Sequence, residues 1–312
     1  MTHYAGEILA LITALFWALT SILFTFAGHR VGSRTVNRVR LLFAVPLLMV
    51  AHLIGEGTLL PLRAGVERWS WLGVSAVIGL VLGDGLLFYA FTQIGARLSM
   101  LLMALTPVIG TLLAWLFLDE VLSPEELLAI IVTIVGIAWV VLERNRPPAA
   151  TTASPEVTPT PATPEARNYL IGVLAGIGAA TGQATGLVLS KQGMVGEFPA
   201  ISASLMRVVV AALAIWLGAA ARGQARSSVS SLHDRRALVL ILGGAVVGPV
   251  LGMTLSLASV QLSEVGIAST LMALSPVLLL PLAHWIFGER ISLRAVLGTV
   301  VAMAGVAMIF LL

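Results

Sequence analysis

Met103-Ala104-Leu105-Thr106-Pro107-Val108 returns 169 residues later as Met272-Ala273-Leu274-Ser275-Pro276-Val277. The same offset, with no gap, lays Glu120 over Glu289, Ser123 over Ser292, Gly136 over Gly305, and Gly79 and Gly83 over Gly248 and Gly252. A nearly equal offset lays Arg40 over Arg207. Apolar composition alone does not readily produce matches at proline, glutamate and arginine, so the pattern reads as an internal duplication.

Outward from the repeat the chain is a series of long apolar runs. Of 312 residues 58% are hydrophobic, 11% are charged and none is cysteine, and the mean hydropathy is +1.01. A soluble domain carries about 25% charge, so soluble classes are excluded. The absence of cysteine excludes disulfide frameworks, thiolate metal sites and cysteine nucleophiles. A helix crossing lipid needs about 20 mostly apolar residues with every backbone group paired internally. Ten stretches qualify: 6–26, 36–54, 70–94, 98–118 and 124–142 in the first copy, and 169–190, 200–220, 237–260, 265–287 and 293–311 in the second. The segment before the first run has no basic start and no small-residue cleavage site, so that run is expected to be retained as a span.

Five spans per copy is an odd number, so a direct duplication inserts its second copy upside down. The expected fold is an all-α integral membrane protein of ten transmembrane helices in two inverted five-helix repeats. The expected domains are residues 1–143 and 168–312, joined by a linker over 144–167. Six prolines between Pro147 and Pro164 make that linker unsuited to helix and predict disorder. Ser123 before Pro124, and Ser292 at the matching place, read as helix N-caps.

These features resemble the drug/metabolite transporter superfamily, specifically its EamA-type family of ten-span proteins with two five-span repeats. The resemblance rests on the fourth and ninth spans, 99–123 and 268–292, each with a mid-span proline, a closing glutamate and then a new helix. Gly83-Asp84 followed by Ala90 and Gly95 is similar to that family's third span. It covers the chain except the linker. What it implies is a carrier of small organic molecules, usually an exporter or exchanger, without fixing the substrate.

Ionisable groups at membrane depth cost about 2.5–3.5 kcal/mol on insertion scales, so each needs a partner or a wet cavity. Asp84 falls halfway along the third span, where the second copy has Met253. It reads either as a pathway carboxylate with a proton-coupling role or as the partner of Arg40 or Arg207 in a structural ion pair. Both arginines lie a few residues into their spans, where a long side chain snorkels to the interface, and their duplication points to packing or gating. Thr106-Pro107 and Ser275-Pro276 lie near mid-span, where proline frees a carbonyl. They read either as an interrupted-helix site or as plain kinks, and Pro249 as a kink without a counterpart in the first copy.

Trp17 and Thr20 in the first span and Gln183 in the sixth complete the cavity candidates, with Asp84, Thr106 and Ser275. Tyr89, Gln93, Thr181 and His284 are secondary. Arg40, Arg207, Pro107 and Pro276 are assigned to structure or gating. Gly172, Gly176, Gly178, Gly182 and Gly186 form a small-residue stripe expected to pack closely against a neighbouring helix.

No phosphate-cradling Gly-Lys-Ser/Thr motif occurs around the single lysine, Lys191, and no zinc-peptidase or serine-hydrolase motif is present. A second intramembrane aspartate for a paired-aspartate protease is missing. No enzyme activity, cofactor or metal is expected. The formal charge of +3 resides mostly in loops, where it reads as topology, not as a nucleic-acid surface. Basic loop residues follow odd-numbered spans, with only Arg63, Arg68 and Lys191 after even ones, which predicts both termini outside; the implied relatives place both inside.

The expectation is a secondary transporter of a small organic metabolite, such as an amino acid, working by alternating access in a prokaryotic inner membrane. Its partners are the substrate, a candidate coupling proton and the lipid bilayer. The alternatives are a non-transporting scaffold or receptor, and a lipid or drug flippase of the same fold.

Overall fold

The computed structural model describes residues 4–117, 123–144, 164–196, 198–262, 271–288 and 291–311. The first half contains α1 (Ala5–Val31), α2 (Ser33–Glu56), α3 (Val66–Ala76), a π-helical turn (Val77–Gly83), α4 (Asp84–Met103), α5 (Leu105–Phe117) and α6 (Pro124–Arg144). The second contains α7 (Pro164–Gly193), α8 (Ala200–Ala221), the short α9 (Ala225–Ser230), α10 (Arg235–Ala245), a second π turn (Val246–Gly252), α11 (Met253–Leu262), α12 (Ser275–Phe287) and α13 (Leu293–Leu311). Among the described residues there is no strand.

Among the described residues seven helical stretches are long and apolar enough to cross a membrane: Ala5–Val31, Ser33–Glu56, Val66–Met103, Pro124–Leu142, Ala166–Ser190, Ala200–Ala221 and Arg235–Ser256. Two shorter apolar helices, Ser275–Ile286 and Leu293–Ile309, accompany them. Val66, Ile54 and Trp285 are each at least 80% exposed. Apolar side chains on the outside of so apolar a bundle are in keeping with lipid as its solvent, and the chain is an integral membrane protein.

The structure redraws the third and fourth expected spans. Helix runs on past the expected boundary at residue 94, bends at Gly95 (φ 79°), and ends at Met103. Only glycine adopts that backbone without strain. After Ala104 a new helix begins, so Pro107 is the third residue of α5; Pro276 is likewise the second residue of α12. Of the two readings, an interrupted helix or a plain kink, both prolines thus show the interruption: each stands in the first turn of a new helix, where the missing proline N–H has no intrahelical partner to lose. Glu120, Glu289 and residues 145–163 of the expected linker lie outside the described residues, and α7 begins at Pro164, inside the stretch assigned to that linker.

The N-caps form as read. The Ser123 backbone N–H donates to Glu126 Oε2 at 2.7 Å, while the Glu126 N–H donates to Ser123 Oγ at 3.1 Å, a reciprocal capping box. Ser292 Oγ accepts from the Ala295 N–H at 3.0 Å. Asp234 caps α10 by accepting from the Arg236 and Ala237 N–H groups, each at 3.1 Å, and pairs with Arg30 at 2.9 Å. The Ala237 N–H and then the Arg30 guanidinium hold the Asp234 carboxyl below the usual carboxylate range. A depressed carboxyl stabilises the fold above its unfolded pKa of about 3.9 and loses that contribution as pH falls through the lower folded value. The thermal midpoint of the wild type is thus expected to exceed that of Asp234→Asn by a constant margin above about pH 5, shrinking below about pH 4. A margin unchanged down to pH 3 would contradict the assignment.

The two π turns stand 169 residues apart, as do the glycines within them. Pro249 lies in the second, but the first has Leu80 at that place and makes the same turn, so proline does not cause it. Each π turn packs on a helix of the other half. The first meets α7, where a Cβ on Gly182 would lie 2.9 Å from Gly83 Cα, and one on Gly186 would lie 3.1 Å from Gly79 Cα. The second meets α1, where a Cβ on Gly248 would lie 2.9 Å from Thr20 Cγ2, and one on Gly252 would lie 3.1 Å from Trp17 Nε1. The glycine stripe on α7 thus packs as expected, with Gly172 against Gln93 and Ile94, and Gly176 against Leu102. The last helices of the halves also pack together, with no room for a Cβ on Gly136 at Ala302 or on Gly305 at Thr133.

Candidate functional site

Asp84 begins α4 directly after the first π turn and is only 6% exposed. Arg40, also 6% exposed, reaches it from α2, and its Nη2 donates to Asp84 Oδ2. Gln183 of α7 donates from Nε2 to the other carboxylate oxygen, Oδ1. Both oxygens are therefore engaged by groups on different helices, from both halves of the chain. A buried ion pair repays its desolvation only with such additional hydrogen bonds.

The ring of contacts continues outward. Arg40 Nε donates to Asn37 Oδ1 at 3.0 Å, and Asn37 Nδ2 donates to the π-turn carbonyls of Leu80 and Val81 at 3.3 and 3.4 Å. Gln183 Nε2 also lies 3.4 Å from the Gly79 carbonyl. The Arg40 guanidinium sits 4.8 Å from the centre of the Phe88 ring, a cation–π contact, and Phe88 stacks on Phe91 at 5.7 Å. The π turn, common at functional sites, thus carries the carboxylate at its end and offers carbonyls to side chains that orient it.

Arg207 of α8 acts electrostatically on the same carboxylate. Its Nε is buried without a hydrogen-bond partner. Its Nη2 would be 3.3 Å from a Cβ at position 79, so Gly79 makes room for it. Two repeat-related arginines therefore face one acid, because the second half has Met253 where the first has Asp84. The snorkelling expected of Arg40 does not occur. The side chain turns inward because Asp84, Asn37 and Phe88 supply charge, acceptor and ring within the bundle.

The family model for the EamA-like transporter family matches residues 4–142 and 170–311. The chain belongs to the EamA-like transporter family. The resemblance read from the mid-span prolines and Gly83-Asp84 is borne out. A similar protein of Erwinia tasmaniensis, described as "Probable 4-amino-4-deoxy-L-arabinose-phosphoundecaprenol flippase subunit ArnE", is 33% identical over 104 residues, which is 33% of this chain and 94% of that protein. A protein solved by crystallography shares the fold with a TM-score of 0.60 at 16% identity, covering 99% of this chain and 97% of its own.

The remaining candidates of this EamA-like chain separate into groups. Trp17 and Thr20 face the second π turn, and Thr20 Oγ1 is buried without a hydrogen-bond partner. Thr106 Oγ1, on α5, is in the same state. Ser275 is 2% exposed and its hydroxyl donates to the Ala14 and Met272 carbonyls, each at 3.0 Å, so it ties α12 to α1. Thr181 and His284 lie on exposed faces of their helices, and Gln93 packs on Gly172 while reaching Thr92 Oγ1 at 3.3 Å.

Two concavities stand apart from Asp84. One of about 230 Å³, between α2, α8 and α11, is lined by residues including Glu56, Ser204, Met253 and Thr254. The other, of about 450 Å³, lies at the α1–α2 corner and includes the secondary candidate Tyr89. Neither is lined by Trp17, Thr20, Asp84, Thr106, Gln183 or Ser275. Asn37, Phe88 and the buried His52, whose Nε2 is 2.9 Å from Ser202 Oγ, were missed by the sequence reading. Asn37 had a signal, being a polar residue one helical turn before an intramembrane arginine.

Proposed function

We propose that this chain is a secondary carrier of a small organic metabolite, an exporter or exchanger, built from ten spans in two inverted repeats. The observation that carries the reading is the buried Arg40–Asp84–Gln183 cluster, assembled from both halves and joined by Arg207, which acts on the same carboxylate and whose Nε has no hydrogen-bond partner. One carboxylate facing two repeat-related arginines is a bistable element. Rocking one repeat against the other exchanges the Asp84 partner between Arg40 and Arg207, and so opens the site to alternate sides. The equal spacing of the π turns, and their reciprocal packing on α7 and α1, support the repeat. Trp17, Thr20, Thr106 and Gln183 are the proposed substrate-facing residues; Ser275, Pro107 and Pro276 shape the helices that carry them. Asp84 serves as counter-ion to both arginines, and a coupling proton resides there if transport is proton-driven.

The membrane is proposed to be a prokaryotic inner membrane, with both termini outside by the loop charges. The ArnE relative favours a second reading, a flippase that moves an amphipathic molecule in the same way.

A thermal-shift screen of the detergent-purified protein against amino acids, nucleosides, sugars, polyamines and cationic drugs tests the reading. A ligand that binds only the folded state at 100 times its Kd stabilises it by about 2.7 kcal/mol. The expected result is a selective shift abolished in Gln183→Ala. Shifts from no compound at millimolar concentration, or shifts indifferent to Gln183→Ala and Asp84→Asn, would contradict it.

A further inference from the structure

At the corner where α1 turns into α2, a cavity of about 450 Å³ opens between that corner, Tyr89 on α4 and the α8–α9 connection. Its floor is the first turn of α2, which begins at Ser33 after Gly32 (φ 81°) with no side-chain cap. The N–H groups of such a turn have no acceptor within the helix and present positive potential. Arg34 and the hydroxyl-bearing Ser33 and Thr35 line the cavity beside them.

Arg38 supplies the second, independent observation. It lines the same cavity, is 7% exposed, and its Nε is buried with no hydrogen-bond partner. Its other nitrogens are locked by Ser228 Oγ at 2.9 Å and Gln224 Oε1 at 2.6 Å, so the guanidinium is held in place before any ligand arrives. The charges acting on it are Arg34 and Arg222, both positive. The carboxylate on the neighbouring connection, Asp234, is taken by Arg30. A fixed, buried guanidinium that pairs with no carboxylate among the described residues, beside an open helix N-terminus and a second arginine, is the arrangement that binds a multiply charged oxyanion.

We propose that this cavity binds a phosphate group, through Arg34, Arg38 and the α2 N-terminal N–H groups, with Tyr89 closing the side toward the bundle. The phosphate belongs either to a lipid headgroup or to a soluble phosphate. The site is separate from the Asp84 cluster and does not depend on that cluster's role.

The test uses the full chain in an uncharged maltoside detergent. In one arm inorganic phosphate is titrated against chloride at matched ionic strength and followed by thermal shift. In the other, phosphatidic acid is titrated against phosphatidylcholine and bound lipid is counted by native mass spectrometry. Arg34→Gln alters an exposed side chain, and Arg226→Gln on α9 removes a nearby exposed charge that does not line the cavity. The expected result is binding in at least one arm that weakens about tenfold or more in Arg34→Gln, the loss of one charge-assisted hydrogen bond, and less than threefold in Arg226→Gln. Binding of inorganic phosphate assigns a soluble source, and binding of phosphatidic acid alone assigns a headgroup. No binding in either arm, or equal weakening by both variants, overturns the proposal, the latter showing a diffuse basic surface in place of a site.

Discussion

Arg40→Met is expected to destabilise the protein by about 3–5 kcal/mol, because it strands the Asp84 carboxylate at membrane depth with Gln183 as its remaining hydrogen-bond donor. The loss should be visible as a lower thermal midpoint and poor recovery of monodisperse protein from detergent. Removing both charges is a different experiment from removing one. Arg40→Met combined with Asp84→Asn removes this pair but leaves Arg207 without its acid, and is expected to recover part of the midpoint, being less unstable than the two single losses summed, without recovering ligand binding. If instead the double variant is as unstable as the sum of the two single ones, the pair is not the coupled unit described above. Arg207 adds a gradation: because it acts on the same carboxylate, Arg40→Met should be tolerated better than Arg40→Met with Arg207→Met.

Gly182→Leu should be comparably disruptive for a steric reason. Even a methyl group at position 182 would meet Gly83 Cα at 2.9 Å and the Ile78 carbonyl at 3.2 Å, and backbone cannot give as a flexible side chain does. Overpacking of this kind typically costs about 1–3 kcal/mol, and Gly182→Ala should fall in that range with Leu beyond it. Moving α7 off the π turn also draws Gln183 away from Asp84, so ligand binding should fall before the fold is lost. Gly110→Leu on α5 is the control, since nothing lies within 4 Å of a Cβ there. Equal effects at 182 and 110 would remove the argument for backbone contact between the halves.

The duplication, the N-caps at Ser123 and Ser292 and the close packing of the α7 glycines were legible, because each depends on residues near in sequence or on a fixed offset. The inward turn of Arg40 was not. Its partner is 44 residues away, and depth along a span cannot say whether a long side chain finds an acid inside or water outside. The π turns were hidden as well, since one contains proline and the other does not. Thr106-Pro107 announced a break but not its kind, because a proline near mid-run reads alike as a kink or as the first turn of a new helix. Ser275 was a reasonable cavity candidate by depth, yet its hydroxyl is spent on Ala14, a contact across 261 residues.

The central claim is alternating access between the two halves, and the absence of native cysteine allows it to be tested with one introduced thiol. Thr20→Cys is a small change at a half-buried position on α1, where the hydroxyl has no hydrogen-bond partner and faces Gly248 of the other half. The measurement is labelling by a membrane-impermeant thiol reagent, applied once to right-side-out membranes and once to inside-out vesicles. The account predicts that Cys at position 20 is labelled from both faces. Labelling from one face alone, or from neither in protein that remains folded, would contradict it.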